Sequence, residues 1–598
     1  MCGINFILDK KKQLNSVPIQ AMNEAIAHRG REHSAWHVHE EADRQLFFGH
    51  NRLKIIDLQA RANQPLHSID NRYIMIFNGE IYNYKIIKQI LQQQYSFVTA
   101  SDSEVLLYWL AYHAPTLPAH FSDMEGLGIF AFVWYDTHTQ TLLYARDSMG
   151  VKPLYKYEDS HYLILSSEIR GILATGLVEK RLADTQIYHY LAYRYAEPDK
   201  TFFQSITPVK PIQRTMNALH LPTERHSGLA DILTQAVVSE TVGDVPFGLF
   251  LSGGVDSTLL LAILHEQGYT NLPAFTIANT ATESNFGTAD FHFSTLAAKQ
   301  FKANLHTIEV DSTLLKDLPA FIKTIDQPIA DVAYWLTQLL AGEAHKTVKF
   351  VLSGAGADEL FAGYYRHKAF YYYQKYYSAL MLAYPLLKLG GSMLPTGFAH
   401  AFRKHFRLLK KFAKDLSFSQ AQTWDNFIRL NFTIKSNFAC LPLPYSANTA
   451  LDYLIHDQEN YLQHDILALN DRAGMQHALE IRVPYLNSKL VNYANQLYTS
   501  FKLKNGSKWL LKDILNAKGG QIYTQRRKEG FGVPIGKWLR ESAGKEYISL
   551  LNSPHSLLQN YLPTHQIKYI IKQHLAQKQD YSSELWAMLC LEMWLGNL

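Results

Sequence analysis

The stretch "VPFGLFLSGGVDSTLLLAILHEQG", Val245 to Gly268, holds a strand, a turn and a helix in that order. Val245 to Leu251 is a short apolar run, the pattern of a strand covered on both faces. Ser252, Gly253 and Gly254 follow as a turn of small residues. Their backbone amides can point inward around an anion, and the start of the next helix adds its dipole. "STLLLAILHEQG" reads as that helix, closed by Gly268. Upstream, a helix-like run begins at about Asp231. Downstream come "LPAFTIAN", a polar loop, the helical "STLAAKQF", "LHTIEV", a further helix and "VKFVLSGAG". Strands alternating with helices at this spacing predict a parallel α/β sheet. After Tyr364 the pattern is almost wholly helical to Leu598.

In an open parallel sheet, ligands lie beyond the carboxyl ends of the strands. Two glycine-bearing loops stand there. "LSGGVDS" lacks the GxxxxGK[ST] spacing and has no lysine, so it is not a Walker loop. It resembles the pyrophosphate loop of ATP pyrophosphatases, which transfer AMP instead of the γ-phosphate. In the second loop, "LSGAGADELFAGY", Ser353 and Gly354 end a strand, and Asp358 and Glu359 follow. Either acid alone fits a helix cap. As a pair at two strand ends, Asp256 and Asp358 predict a site for Mg2+ against pyrophosphate oxygens.

Residues 1–207 have another texture: short alternating runs such as "RYIMIFNGEIYNY", "GIFAFVWYD", "TLLYARD" and "HYLILSSE", which predict strands. The chain opens "MCGINF". With the initiator methionine removed, Cys2 carries both a thiol and a free α-amine. An α-amine titrates at about 7.7–8.0, close to working pH, and suits the role of base for the thiol. "FNGEIYNY" offers Asn78 and Gly79 as oxyanion donors. Arg52 in "GHNRLKIIDL" suits a carboxylate, and Glu80 and Asp102 suit an ammonium.

Composition bounds the rest. A chain of 598 residues exceeds a single core. A net charge of +5 gives no electrostatic footprint for nucleic acid, and "RRK" at Arg526–Lys528 is too brief to supply one. Cys2, Cys440 and Cys590 have no CxxC spacing, which argues against a disulfide framework and for a reducing compartment. "MCGINFILDKKKQ" lacks a signal-length apolar run. "ALMLAYPLLKLGGSMLP" is interrupted by Pro385, Lys388 and two glycines, so it predicts no membrane span. The expectation is a cytoplasmic protein with neither nucleic-acid nor membrane partner. His37 and His39 alternate along one strand without a third ligand at metal spacing, and predict solvated surface histidines. The aromatic cluster "YYRHKAFYYYQKYY" predicts helix packing more than base stacking.

In one order along residues 1 to 540 stand "MCGI", "HRG", "GHNRLKIIDL", "NQPL", "FNGEIYNY", "SDSEVLL", "ARDSMGVKPLY", "SSEI", "DVPFGLFLSGGVDS", "LSGAGADELFAGY", "NDRAGMQHALEIRVPYLN", "KWLLK" and "RRKEGFGVPIGKWL". In these segments the chain resembles the glutamine-hydrolysing asparagine synthetases of the bacterial B type. The resemblance implies a multidomain α/β protein. Residues 1–207 would form a class II amidotransferase domain, an Ntn-type αββα sandwich. Residues 228–598 would form an ATP-pyrophosphatase (adenine nucleotide α-hydrolase-like) parallel sheet with a helical extension, the boundary falling in "TPVKPIQRTMNALHLPTERHSG".

The resemblance also implies roles. Cys2 attacks the glutamine amide, with Asn78 and Gly79 as oxyanion hole and a thioester as intermediate. Arg52, Leu53, Lys54, Ile55 and Ile56, with Asn78, Gly79, Glu80 and Asp102, bind glutamine. Ammonia crosses an internal tunnel. Leu251, Ser252, Gly253, Gly254, Asp256, Ser257, Ile277, Ser353 and Gly354 contact ATP, and Asp256 and Asp358 hold Mg2+. Lys528 neutralises charge building on the phosphates. Aspartate is adenylated and then amidated. Family members are often homodimers.

The match breaks at Ala355, where the asparagine-making enzymes carry a glutamate. Three explanations stand: another acid substitutes, the acceptor is a carboxylate other than aspartate, or the synthetase half is weak. Smaller departures are "RGRE" for RGPD and "PYLN", ending in Asn487, for PFLD.

Overall fold

Among the described residues, ten strands precede residue 209: β1 Gly3–Asp9, β2 His33–Glu40, β3 Gln45–Arg52, β4 Leu66–His67, β5 Tyr73–Ile81, β6 Gly128–Asp136, β7 Thr141–Arg146, β8 Tyr155–Glu158, β9 Tyr162–Ser166 and β10 Ile206–Pro208. They form two antiparallel sheets, ordered β10-β8-β9-β1-β3-β2 and β4-β5-β6-β7. The period of two explains the layering. Ile4, Phe6 and Phe48 of the first sheet meet Ile74, Ile76 and Val133 of the second in one dry layer. Phe6 faces Phe48 across the ladder with ring centroids 5.1 Å apart. The alternate residues Ile7, Phe47 and Ile164 turn outward, into the core that holds Ile19 and Met22 of the helix Val17–Ala25 and Ile169 and Ile172 of Ile169–Ala174. Met75, Phe132 and Trp134 do the same toward Val105 and Leu106 of the helix Asp102–His113. The result is the expected αββα sandwich.

The structure, a computed structural model, describes residues 2–114, 124–214, 228–279, 288–393, 403–433, 449–526 and 532–598. Most of the expected boundary segment, together with Lys528 and Cys440, lies outside the described residues.

The second sheet system is parallel throughout: β11 Phe247–Phe250, β12 Pro273–Asn279, β13 Asn304–Val310, β14 Phe350–Leu352 and β15 Glu480–Arg482, ordered β13-β12-β11-β14-β15. Strand order reverses between β11 and β14, and both glycine-bearing loops leave the sheet there. The helix after "LSGG" runs Val255–Glu266, and Gly268 follows in a left-handed conformation (φ 89°). β15 is a strand in the stretch after Tyr364 that was expected to be almost wholly helical. Three residues are too few to show a period, and their neighbour β14 is remote in sequence. Beyond Tyr364 the other described elements are helical, including a π-helix at Gln458–Leu467.

Arg482 of β15 locks the two halves together. Its guanidinium is fully buried, 3.0 Å from Glu80 of β5 and 2.5 Å from Glu480. It also donates to the carbonyls of Glu240 and Val242, and lies 3.9 Å from the Phe350 ring centroid. Arg29 makes a second tie, bonding Glu168 at 2.9 Å, Asp471 at 2.8 Å and the Cys2 carbonyl at 3.2 Å. Removing one partner from a buried pair strands the other charge and costs about 3–5 kcal/mol. Arg482→Met is therefore expected to lower the unfolding free energy obtained from urea denaturation by about 3–5 kcal/mol, with a lower midpoint. A midpoint within error of the parent protein would show that these pairs contribute little.

Candidate functional site

The first site lies at the amino end of β1. Cys2 is buried, and its backbone nitrogen donates to Asn78 Oδ1 at 2.9 Å. Its Sγ approaches the Leu53 carbonyl at 3.9 Å. Asn78 Nδ2 is buried and has no hydrogen-bond partner among the described residues. Asn78 thus presents its acceptor to the Cys2 nitrogen and keeps a donor in reserve, as an oxyanion donor must. A Cβ at Gly79 would stand 2.1 Å from the Ile129 carbonyl, so the neighbouring strand admits only glycine. Burial pushes the Cys2 thiol up, opposed by the amino-terminal charge, the Leu53 carbonyl contact and Arg52.

Arg52 ends β3 beside this thiol. Its guanidinium bonds Asn63 Oδ1 at 2.7 Å and the carbonyls of Gln59, Ile56 and Asp57, which fixes the turn carrying Leu53, Lys54, Ile55 and Ile56. Glu80 pairs with Arg482, and Asp102 accepts from the Ile81 nitrogen at 2.9 Å. Burial raises Glu80 well above the usual carboxylate range despite Arg482. Burial also raises Asp102 to about 6, against the Ile81 and Ser103 amides that favour its charge.

The second site gathers both glycine-bearing loops. Gly253 has φ 65°, and a Cβ there would stand 2.4 Å from the Ser294 nitrogen. Ser257 Oγ accepts from the Ser252 nitrogen at 3.2 Å, closing the turn. The Leu251 nitrogen bonds the Phe275 carbonyl, and Ser252 and Ile277 line one cavity with Thr276, Asn279, Leu336 and Val533. Ser353 is held through its nitrogen by the Arg482 carbonyl at 2.9 Å. Gly354 faces Asp256: a Cβ there would come 3.0 Å from the Asp256 Cβ.

Asp256 and Asp358 converge as expected, on Lys508. Its Nζ lies 2.6 Å from Asp256 Oδ2 and 2.5 Å from Asp358 Oδ1. Burial opposes the charge of Lys508, and the two acids raise its pKa in spite of it. Lys508 has a left-handed backbone (φ 56°) and reaches past Gly363, where a Cβ would meet its Cε at 2.2 Å. The two carboxylates therefore define a point that accepts positive charge, which fits a divalent cation. Nothing within "KWLLK" itself gives Lys508 a role. The signal available was a lone lysine ahead of the apolar start "WLL".

Residues 228–596 match the asparagine synthase family, and residues 1–225 match the glutamine amidotransferase domain. The chain belongs to the asparagine synthase family. Among its relatives is asparagine synthetase [glutamine-hydrolyzing] 1 of Bacillus subtilis (strain 168), 27% identical over 99% of this chain and 96% of that one. A putative asparagine synthetase [glutamine-hydrolyzing] of Mycobacterium bovis is 28% identical over 95% and 92%. A Penicillium rubens protein named amidase chyE is 26% identical over 76% and 75%.

Other expectations resolve differently. His37 is half-buried, not solvated: its ring stands edge-on to His67 at 4.4 Å, and burial lowers its pKa to about 4. No cluster of three or more metal-ligating His, Cys, Asp or Glu occurs among the described residues. In the aromatic cluster, Phe370 and Tyr373 pack inward against Trp424, while Tyr372 and Tyr376 stay exposed.

Asp102 gives this family member a pH signature. With a folded pKa of about 6 against 3.8, the folded state holds a proton that the unfolded state has released. Stability therefore falls as pH rises between those values, and the cost is fully present above them. Asp102→Asn is expected to stabilise the protein by about 1–3 kcal/mol near pH 8, with the gain shrinking toward about pH 5. Denaturant midpoints of both proteins at the two pH values test this. An equal difference at both would contradict it.

Proposed function

We propose that this protein makes asparagine from aspartate, using the amide nitrogen of glutamine and the energy of ATP. The thiolate of Cys2 attacks the glutamine side-chain carbonyl, ammonia leaves, and water hydrolyses the thioester to glutamate. Asn78 Nδ2 and the Gly79 nitrogen serve the oxyanion. Arg52, with residues 53–56, receives the glutamine carboxylate, and Glu80 and Asp102 receive its ammonium. Ammonia crosses inside the protein, where it escapes protonation.

At the second site the acceptor carboxylate attacks the α-phosphorus of ATP and pyrophosphate leaves; ammonia then displaces AMP to give the amide. The amides of Ser252–Gly254 cradle the pyrophosphate, with Leu251, Ser257, Ile277, Ser353 and Gly354 around the nucleotide. Lys528 answers charge on the phosphates. Asp256 and Asp358 would hold Mg2+, which supplies charge neutralisation on the phosphate oxygens when bound. Lys508 then exchanges its carboxylate partners for phosphate.

One observation carries the reading: a single chain holds both Cys2 on Asn78 and Asp256 and Asp358 converging on a cation. Ala355 favours a second reading, in which the acceptor is another carboxylate, on a sugar or a secondary metabolite.

Pyrophosphate release with MgATP and glutamine, with aspartate set against a panel of carboxylates, separates these readings. Asparagine formed in step with pyrophosphate is expected. Pyrophosphate released only with another acid would establish the second reading, and none with any acceptor would remove both. Cys2→Ala is expected to abolish glutamine use by about a thousandfold or more while sparing activity with ammonia. Loss of both activities would contradict two separate sites.

A further inference from the structure

A cavity of about 40 Å³ lies where the two halves meet, with room for about three waters. Arg146, which ends β7, and Ser167 line it from the sandwich. His464, from the π-helix, and Arg472, from the helix Ala468–Met475, line it from the other half. None of these side chains takes part in either proposed reaction, and the cavity shares no lining residue with the one beside Ser252 and Ile277.

Its charge is unbalanced. Arg146 is 8% exposed, and its Nε has no hydrogen-bond partner among the described residues. Its other nitrogens donate to carbonyls, those of Val209 at 3.3 Å and Gly150 at 2.5 Å. Arg472 donates to the Gln327 carbonyl at 3.2 Å and the Tyr155 hydroxyl at 2.8 Å. Acids stand nearby, but each is engaged elsewhere. Asp471 gives both oxygens to Arg29, at 2.8 and 3.1 Å. Asp147 accepts from the backbone nitrogens of Phe130, Met149, Val151 and Lys152. Asp326 pairs with Arg170 at 2.6 Å. Burial lowers His464 to about 3, and Arg146 and Arg472 add to the effect, so a neutral ring sits within electrostatic reach of both guanidiniums. Lys200, exposed on the cavity wall, pairs with Glu197 at 2.8 Å.

We propose that this cavity binds a small oxyanion, a carboxylate or a phosphate, held between Arg146 of one half and Arg472 of the other. Guanidinium groups suit oxyanions of both kinds, and a charge withdrawn from water without a counter-charge is costly. A cation would face two guanidiniums, and a neutral guest would leave both uncompensated. The ion would bridge the halves close to the first site. Ser167 Oγ accepts from the Ile4 nitrogen at 3.0 Å, and Asp471, on the cavity wall, holds the Arg29 that donates to the Cys2 carbonyl. The proposal does not depend on which acceptor the enzyme uses.

Crystals of the full-length protein soaked in selenate test it, because the anomalous signal of selenium locates the ion directly. A peak between Arg146 and Arg472 is expected. Phosphate and acetate are then each added in competition with selenate. Loss of the peak to phosphate alone would assign the site to phosphates, and loss to acetate as well would admit carboxylates. In Arg472→Gln crystals the peak is expected to vanish while the surrounding fold, seen in the same map, is kept. Arg146→Lys, which keeps the charge but not the fork, takes its place if that variant does not fold, and is also expected to lose the peak. An empty cavity in the soaked parent protein would overturn the proposal. So would a peak that neither competitor displaces, or one unchanged by a folded arginine variant.

Discussion

The rest of the structure depends on where the buried charge of Arg482 finds its partners. A guanidinium without water needs compensating charge and acceptors, and the carboxylates and carbonyls that supply them come from both halves of the chain. Glu80 belongs to the antiparallel sandwich, while Glu480, Glu240 and Val242 belong to the region of the parallel sheet. The same residue's backbone carbonyl holds the Ser353 nitrogen. One residue thus sets both the carboxylate that follows Asn78 and Gly79 on β5 and the start of the second glycine-bearing loop. Pulling the halves apart would break the Arg482–Glu80 pair, which ties the two sites to one frame.

Lys508 applies the same rule at the second site. Two aspartates aimed at one point repel each other unless positive charge lies between them. The lysine supplies it and holds the loops of β11 and β14 together. The clearance at Gly363 and the left-handed backbone of Lys508 are local features that let the side chain reach. The two acids therefore already converge on positive charge.

What could be read from the sequence was local. The strand, turn and helix of Val245–Gly268 follow from an apolar run, three small residues and a helical period, and all three are in place. Strands β5, β6, β7 and β9 were legible as short runs, whereas the sandwich they help build was expected from the family resemblance. Asp256 and Asp358 were read as a pair because each follows a strand end, and Lys508 lies between them. The features that escaped were the long-range ones. β15 has three residues and no period, and Arg482 looks like any arginine until Glu80 is placed beside it. Lys508 acquires meaning only when two loops far from it in sequence meet. His37 was read as solvated because nothing in its own strand announces His67.

Ala355 is where sequence and structure bear together on the acceptor. A glutamate at this position would carry a charge of its own into the loop; the methyl is partly buried against the apolar core instead. Four residues on, Glu359 is buried and accepts a hydrogen bond from the Tyr364 hydroxyl at 2.7 Å. Burial, then the neighbouring Asp358, raises its pKa to about 7. The loop has therefore lost one carboxylate and kept another that is partly protonated near neutrality. A fixed charge discriminates between substrates by their charge, whereas a titrating group exchanges a proton and discriminates by hydrogen bonding. On that ground the substitution bears on which acceptor the proposed second site selects more than on its capacity to move a proton. Aspartate carries an ammonium that a fixed carboxylate would prize, and acids without one lose least by its absence.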